Sequence, residues 1–209
     1  MHLTERKNQT MRDEVNNEKI MNSLIVEAIL TKCESRGLNV ELVENAYQFA
    51  KEAVGERLRE SDGTSFIAHF IRVPAILALE LEVTDSEIIA SGFLHALVAH
   101  TDVTYQMLED KFGKRVSNLI ELWTLRSEDD QKHRDLIQRL EESPEKQAAL
   151  VKLSDRLDNT RRLRFVDRPG KREQYIRQTE NLYLPFAKRT NEYIYEAFLR
   201  TLEKLRAPQ

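Results

Sequence analysis

Residues 84–100, TDSEIIASGFLHALVAH, are the most apolar part of the chain and decide its fold class. Thr84 and Glu87 have the spacing of a capping box, which predicts that a helix begins here. From Ile88 to Val98 the sequence is strongly apolar, so the helix should be buried on most sides, as at the centre of a bundle. One histidine, His95, lies within this apolar run.

The sequence upstream of this segment is also helical in pattern. Asn39 is a predicted N-cap, and the helix that follows it has an apolar face and should run to about residue 60. Turn-forming residues then occupy 61–64. The next predicted helix, 66–81, contains Pro74, which should kink it or remove a backbone hydrogen bond.

Helical patterns continue downstream. A charged stretch at 126–130 is predicted to be a loop, and Ser143 followed by Pro144 predicts another helix start. The last helical region, 172–205, contains Pro185 as a predicted kink or break. The sequence therefore predicts helices along almost its whole length.

Composition agrees with an all-α fold. The 209 residues include only 6 Gly and 5 Pro, too few for the many tight turns of an all-β chain. The apolar fraction of 41% supports one hydrophobic core. We predict one compact helical domain over 39–207, preceded by an N-terminal helical extension over 1–38.

Charge and cysteine content exclude several classes of function. Lys and Arg number 32 and Asp and Glu 35, a net charge of −3, so nucleic acid is an unlikely partner, although 156–177 is locally basic. No apolar run is long enough to cross a membrane. The polar start has no secretory signal, and with Cys33 as the single cysteine we expect a cytoplasmic protein.

The N-terminal extension carries an apolar stripe. Its members are Ile20, Leu24, Ala28 and Ile29. Such a stripe must be buried, and packing on its own domain is the first expectation. The alternative is a surface for a second subunit or a protein partner.

Polar residues on apolar helices mark a candidate site at His69, His95 and Asp155. A histidine among Leu, Phe and Val is desolvated and needs a partner, which is often a backbone carbonyl or a buried acid. Around Asp155, helical spacing places Lys152, Arg156 and Asn159 on the same face. The alternative for the arginines is a solvated face paired with nearby acids.

Four motifs carry a resemblance to a known family. They are GTSFIAHFIRVPAILALEL, SGFLHALVAHTDVT, EDKFGKRVSNLI and LVKLSDRLDNTRRL. In order and spacing, from about residue 40 to residue 205, the chain resembles the HD-domain alarmone hydrolases. These are the RelA/SpoT homologues and their stand-alone small relatives, which remove the 3′-pyrophosphate from (p)ppGpp. The resemblance implies a compact HD-domain helical bundle.

The resemblance also implies a metal site and shows where this chain departs from it. The family holds a Mn²⁺-like ion with two histidines and two aspartates, and the matching positions here are His69, His95, Ala96 and Asp155. The family's Glu-Asp pair, which activates the attacking water, corresponds to Ala99 and His100. If residues 96 and 100 lie one turn apart on one helix, His100 could replace the missing ligand and favour Zn²⁺.

The nucleotide-contacting positions are better preserved. By resemblance, a ppGpp-like guanine nucleotide would contact residues that are mostly cationic: Arg59, Lys152, Arg156, Asn159 and Arg162. Leu58 stands where an arginine that packs on the guanine base is usual. Arginine is well suited to phosphate because its guanidinium binds two oxygens at once.

Two functional hypotheses follow. In the first, the chain is a pseudoenzyme that binds a nucleotide or has a regulatory role, because three carboxylates of the family's site are missing. A lost acid–base group alone costs about 10²–10⁴-fold in rate. In the second, the chain is an active metal-dependent nucleotide phosphohydrolase with the rearranged ligands His69, His95, His100 and Asp155.

Overall fold

The computed structural model describes residues 2–59, 64–125, 129–166 and 168–207, with side chains from residue 16 onward. These residues form twelve α-helices and no strand, as the sequence predicts. The helices are α1 His2–Ser35, α2 Val40–Val54, α3 Phe66–Ala75, α4 Ser86–Leu94, α5 Leu97–His100, α6 Tyr105–Phe112, α7 Lys114–Trp123, α8 Asp130–Glu142, α9 Ala148–Arg162, α10 Pro169–Gln178, α11 Leu184–Thr190 and α12 Glu192–Arg206. Within the described residues, no helix has both the length and the apolar stretch that a membrane span requires.

Helix α4 lies at the centre of the bundle. It packs against α2, α3, α7 and α9, and every residue from Ile88 to Leu94 is buried. Gly92 lets α4 approach α3 closely, since a Cβ atom there would lie 2.9 Å from Leu77 Cδ1 and 3.3 Å from Pro74 Cα. The predicted burial of this segment is confirmed.

The predicted ends of this helix are corrected. Asp85, rather than Thr84, is the N-cap, and its carboxylate accepts hydrogen bonds from the N–H groups of Glu87 and Ile88. The helix does not continue to Val98, because Ala96 has φ −117° and ψ 6° and separates α4 from α5. His95 therefore lies in a turn between two helices.

The helices before α4 agree with the sequence in part. Asn39 caps α2, accepting a hydrogen bond from the Leu42 N–H as predicted. The helix ends at Val54 rather than near residue 60, because Gly55 takes a positive φ of 59°. After Pro74 the α3 helix widens into a π-helical turn, Ile76–Glu80, so it continues rather than stopping. Most of the predicted turn at 61–64 lies outside the described residues.

Two predicted boundaries in the second half are also wrong. Helix α9 does not begin at Ser143, whose hydroxyl accepts the N–H of Glu145 in a local turn. Pro185 does not break the chain but directly follows a π-helical turn, Thr179–Tyr183, and lies in the first turn of α11. The chain breaks instead at Asn191, which is extended and caps α12. Of the predicted loop at 126–130, residues 126–128 lie outside the described residues.

Helix α1 packs on α2 and α3 through a face other than the predicted one. Val26, Ile29 and Cys33 are buried, whereas Ile20 and Leu24 are 59% and 54% exposed. Leu24 and Ile29 are five residues apart, which places them about 140° apart around a helix. The expectation that the stripe packs as one surface on its own domain is therefore wrong for Ile20 and Leu24. That they form a partner surface stays a prediction.

Candidate metal and nucleotide site

A cleft of about 730 Å³ opens between the start of α3, the α4–α5 turn, the end of α7, α9 and α10. Every site residue predicted from the sequence lines it: Arg59, His69, His95, Ala96, Ala99, His100, Lys152, Asp155, Arg156, Asn159 and Arg162. Helix α9 contributes five of these eleven residues because their spacing of three and four positions keeps them on one face of the helix, towards the cleft. Residues more than 100 positions apart in sequence thus meet in one place.

Three side chains converge at the bottom of the cleft. The Nε2 atoms of His69 and His95 lie 3.0 Å apart, and both rings are buried. Asp155 Oδ1 lies 3.4 Å from His69 Nε2 and 3.8 Å from His95 Nε2. One ligand atom from each residue lies within 4.8 Å of the others.

Neighbouring groups fix the orientation of both histidine rings. His69 Nδ1 donates to Asp158 Oδ2 at 2.8 Å, and His95 Nδ1 donates to the Gly92 carbonyl at 2.8 Å. In a neutral ring this leaves Nε2 without a hydrogen. Burial lowers the pKa of His95 to about 3, so that ring is neutral at pH 7.

Asp155 is held by its own helix. Lys152 Nζ donates to Oδ2 at 2.8 Å, and Asn159 Nδ2 donates to Oδ1 at 2.7 Å. Burial opposes the ionised carboxylate, but the positive charge of Lys152 outweighs it and keeps the pKa of Asp155 well below its usual range. Asp155 is therefore an anion at neutral pH.

This donor set fits a divalent metal ion. Two bare imidazole nitrogens and a carboxylate oxygen face one point, and without a cation or a shared proton the three lone pairs repel one another. Two histidines and one carboxylate are a common ligand set for Zn²⁺ and for non-haem Fe²⁺, with further positions left open. The nature of the donors does not select Mn²⁺ over these ions.

His100 does not join this group. Among the described residues, the clustered metal-ligating atoms belong to His69, His95 and Asp155. The His100 ring is exposed and packs edge-on against Phe66, with ring centroids 5.2 Å apart. Ala96 is the N-cap of α5 and His100 is the last residue of that helix, so the two lie about one turn apart, as the prediction assumes. The His100 ring is nevertheless not among the clustered metal-ligating atoms.

Arg59 and Asn159 connect the ion-binding corner to the mouth of the cleft. Arg59 Nη2 donates to Asn159 Oδ1 at 2.8 Å, and Asn159 donates in turn to Asp155. Arg59 Nη1 is buried and has no hydrogen-bond partner. A buried unpaired donor costs roughly 1–3 kcal/mol, so an acceptor on a ligand would be stabilised here.

Arg156 is buried among aromatic rings. Its guanidinium carbon lies 3.4 Å from the ring centroid of Tyr175 and 4.4 Å from that of Tyr183. It also donates to Thr179 Oγ1 and to the Tyr175 carbonyl. The alternative of a solvated arginine face is wrong for Arg156, whereas Arg161 is paired with Glu80.

Sequence reasoning missed several residues of the site. Asp158 supports His69, and Arg72 Nε in turn donates to Asp158 Oδ1 at 2.7 Å. Trp123 and Tyr175 line the cleft, and the Trp123 indole N–H is buried without a hydrogen-bond partner. The one available signal was the spacing of Asp155 and Asp158, which places two acids on neighbouring faces of α9.

Comparison with known proteins agrees with this geometry. The sequence model of the HD domain family matches residues 46–191 of this chain. A guanosine-3′,5′-bis(diphosphate) 3′-pyrophosphohydrolase of Aquifex aeolicus is 38% identical over 157 residues, covering 72% of this chain and 22% of that protein. The enzyme of the same name, MESH1, of Danio rerio is 34% identical over 148 residues, covering 70% of this chain and 80% of that protein.

The chain belongs to the HD-domain family of these pyrophosphohydrolases. The predicted resemblance is confirmed, and so is the helical HD-domain fold. A solved metazoan orthologue of SpoT, described as hydrolysing ppGpp, superimposes with a TM-score of 0.70 at 24% identity, covering 79% of this chain and 96% of the other. At that identity the superposition supports the fold alone.

This HD-domain chain matches long and short relatives differently. It spans 22% of the length of the Aquifex aeolicus protein and of SpoT from Escherichia coli, but 80% of the Danio rerio protein. The match to the long relatives is thus confined to a minor part of each.

Proposed function

We propose that this HD-domain chain binds a guanosine polyphosphate together with a divalent metal ion and hydrolyses it slowly or not at all. Such a protein would act as a nucleotide-responsive regulator. The charge of the cleft carries this proposal. Among the described residues that line it, Asp155 is the single carboxylate, and it is outnumbered by six cationic side chains: Arg57, Arg59, Lys152, Arg156, Arg162 and Lys171.

That charge balance favours a ligand with several phosphates. Lysine and arginine bind phosphate oxygens with charge-assisted hydrogen bonds, which are roughly twice as strong as neutral ones. Apolar and aromatic side chains, including Tyr175, Leu163 and Val166, line the same cleft and would pack against a base or ribose. The volume of about 730 Å³ is that of a typical small-molecule site.

His69, His95 and Asp155 are the residues that would hold the metal ion. A bound ion of this kind polarises phosphoryl oxygens and lowers the pKa of a coordinated water. The chain's own contribution is to keep the two Nε2 atoms free of hydrogen and Asp155 ionised. Lys152 balances the charge of Asp155 when the ion is absent.

Slow hydrolysis follows from what lies beside this group. Ala96 and Ala99 line the cleft with methyl groups, which neither bind a cation nor accept a proton. His100 is an exposed residue at the third altered position, and the partial desolvation of its ring where it lines the cleft lowers its pKa. Its ring lies against Phe66 rather than within the metal-ligating group.

A fluorescence titration tests binding directly. The chain has one tryptophan, Trp123, and it lines the cleft, so a ligand that enters should change its emission. We expect saturable changes with ppGpp and Mn²⁺ or Zn²⁺, and weaker binding of GDP. Arg59→Ala should weaken binding, whereas Arg134→Ala, at an exposed position on α8, should not.

A pyrophosphate-release assay on the same samples tests the second half of the proposal. We expect turnover at least about 10²-fold below that of an enzyme with an intact acid–base pair. Absence of ppGpp binding would overturn the nucleotide assignment. Rapid pyrophosphate release that His95→Ala abolishes would overturn the assignment of impaired catalysis and support the active-hydrolase alternative.

A further inference from the structure

Among the described residues the metal-ligating group has three side chains, and one of them, His69, is supported from behind by an ionised carboxylate. Asp158 is 2% exposed and lies on the side of the His69 ring opposite to the cleft. Its two oxygens are used by different partners: Oδ2 accepts from His69 Nδ1 at 2.8 Å, and Oδ1 accepts from Arg72 Nε at 2.7 Å. The contact joins α9 to α3 across the core.

We propose that Asp158, with Arg72 behind it, is a positioning pair that holds His69 in its metal-binding tautomer and compensates for the ligand missing at Ala96. This inference rests on the metal-binding part of the proposed function. A carboxylate that accepts the Nδ1 hydrogen fixes the ring orientation and makes Nε2 a stronger donor to a metal ion. A site with fewer ligands depends more on the basicity of each one.

The two histidines differ in this respect. His95 donates to a neutral carbonyl, that of Gly92, whereas His69 donates to an ionised carboxylate. The bond of His69 is therefore the charge-assisted and stronger one. Arg72 keeps the buried Asp158 charge from being unpaired, which would otherwise be strongly unfavourable. Asp158 can therefore carry a full negative charge beside His69, because Arg72 pairs with that charge in the buried site.

The tautomer can be measured without metal. Nitrogen NMR of the histidine side chains in the full-length apo protein should show His69 with hydrogen on Nδ1. The neutral amide of the Asp158→Asn variant does not require a hydrogen on His69 Nδ1, so both tautomers of the His69 ring should be populated. A wild-type protein in which Nε2 of His69 carries the hydrogen would overturn the inference, whatever the metal affinity proves to be.

Metal affinity supplies the second readout. In competition with a chromophoric chelator, Asp158→Asn should weaken Zn²⁺ or Co²⁺ binding by about 10–100-fold, the usual effect of removing such a support. Asp158→Glu should recover part of the loss. Asp110→Asn, an exposed acid on α6, is the matched control and should not change affinity. An equal affinity in Asp158→Asn and wild type would overturn the positioning role.

A loss of metal affinity caused by Asp158→Asn must be distinguished from a loss caused by unfolding. Asp158→Asn leaves Arg72 beside a neutral amide, so the double variant Asp158→Asn with Arg72→Gln removes both charges together. We expect the double variant to fold, by circular dichroism, and to show the same 10–100-fold loss. If the wild type binds no metal, the metal part of the proposed function fails; if it binds metal and both variants bind equally well, the role of Asp158 fails.

Discussion

The Nε2 atoms of His69 and His95 lie 3.0 Å apart, and the Nδ1 atom of each ring donates to a different acceptor, so in neutral rings both Nε2 atoms are acceptors. Two acceptors at that distance repel each other unless a cation or a shared proton lies between them. The neighbouring oxygen of Asp155 adds a negative charge to the same point. The bottom of the cleft is thus organised around a positive species.

Replacing one of these histidines should remove metal binding. His95→Ala takes away one of three donors, and we expect the affinity for Zn²⁺ or Co²⁺ to fall by more than about 100-fold, beyond the effect of a lost second-sphere partner. His100→Ala should change it by less than about twofold, since His100 lies outside the group. Elemental analysis and chelator competition measure both. A large loss in His100→Ala would instead support the rearranged ligand set.

Restoring the carboxylates at positions 96, 99 and 100 should restore the hydrolysis of ppGpp. The triple variant Ala96→Asp, Ala99→Glu and His100→Asp returns an anionic ligand and a base to the cleft. We expect the rate of pyrophosphate release from ppGpp to rise by at least about 10²-fold. The control is the same triple variant carrying His95→Ala, which should be inactive. No gain in a folded triple variant would show that the cleft differs from that of active relatives in more than these side chains.

Gly92 should tolerate no side chain. A Cβ atom there would lie 2.9 Å from Leu77 Cδ1 and 3.3 Å from the Pro74 backbone, so Gly92→Ala forces α4 away from α3. We expect a loss of about 1–3 kcal/mol in the free energy of unfolding, measured in urea. Gly170→Ala is the matched control, because nothing lies within 4 Å of its added methyl group. The control should be neutral or stabilising by up to about 1 kcal/mol.

Two apolar residues of α1 should differ sharply on truncation. Ile29 is fully buried, and Ile29→Ala should cost about 2–5 kcal/mol of unfolding free energy. Leu24 is 54% exposed, and Leu24→Ala should change stability by less than about 0.5 kcal/mol. A large cost for Leu24→Ala that depends on protein concentration would show that a second subunit covers this face.

Arg115 should make stability depend on acid pH. It donates to Asp85, Glu87 and Glu145, joining the start of α7 to that of α4 and to the turn before α9. Burial opposes the Asp85 charge, but Arg115 outweighs it and lowers the pKa of Asp85 below its usual 3.8. The hydrogen bond from Arg115 likewise lowers the pKa of Glu145 below 4.5.

The direction of the pH dependence of stability follows from these lowered pKa values. A carboxyl with a depressed folded pKa stabilises the protein above its unfolded pKa, and this stabilisation is lost as the pH falls through the folded pKa. Arg115→Gln should therefore cost about 1 kcal/mol at pH 7 and progressively less below about pH 4.5. Urea denaturation at pH 7, 5, 4 and 3 measures the difference. A gap between variant and wild type that is constant with pH would contradict the prediction.

Local sequence signals predicted much of the fold. Asn39 works as a cap because its short side chain reaches the backbone N–H of Leu42, the third residue of the helix, and this contact depends on sequence neighbours alone. The burial of 88–94 likewise follows from its apolar composition. The boundaries that failed depend on tertiary contacts: the chain turns at Ala96 although the apolar pattern runs through it.

The site residues were predictable as a set but not in their arrangement. Motif spacing indicated His69, His95 and Asp155 as one candidate site, and the structure places them side by side. Motif spacing could not predict that Asp158 would face His69, because the two residues are 89 positions apart in the sequence. The enclosure of Arg156 by Tyr175 and Tyr183 depends in the same way on how α10 and the π-helical turn that follows it, Thr179–Tyr183, pack against α9.

The turn between α4 and α5 lines the cleft but contributes little to the packing of the bundle. Ala96 is the N-cap of α5 and is half-buried, so the identity of its side chain matters little to how the bundle packs. A substitution at this position is therefore expected to change the cleft while leaving the scaffold intact. On the proposed function, the chemistry of this cleft can diverge at little cost to the stability of the bundle.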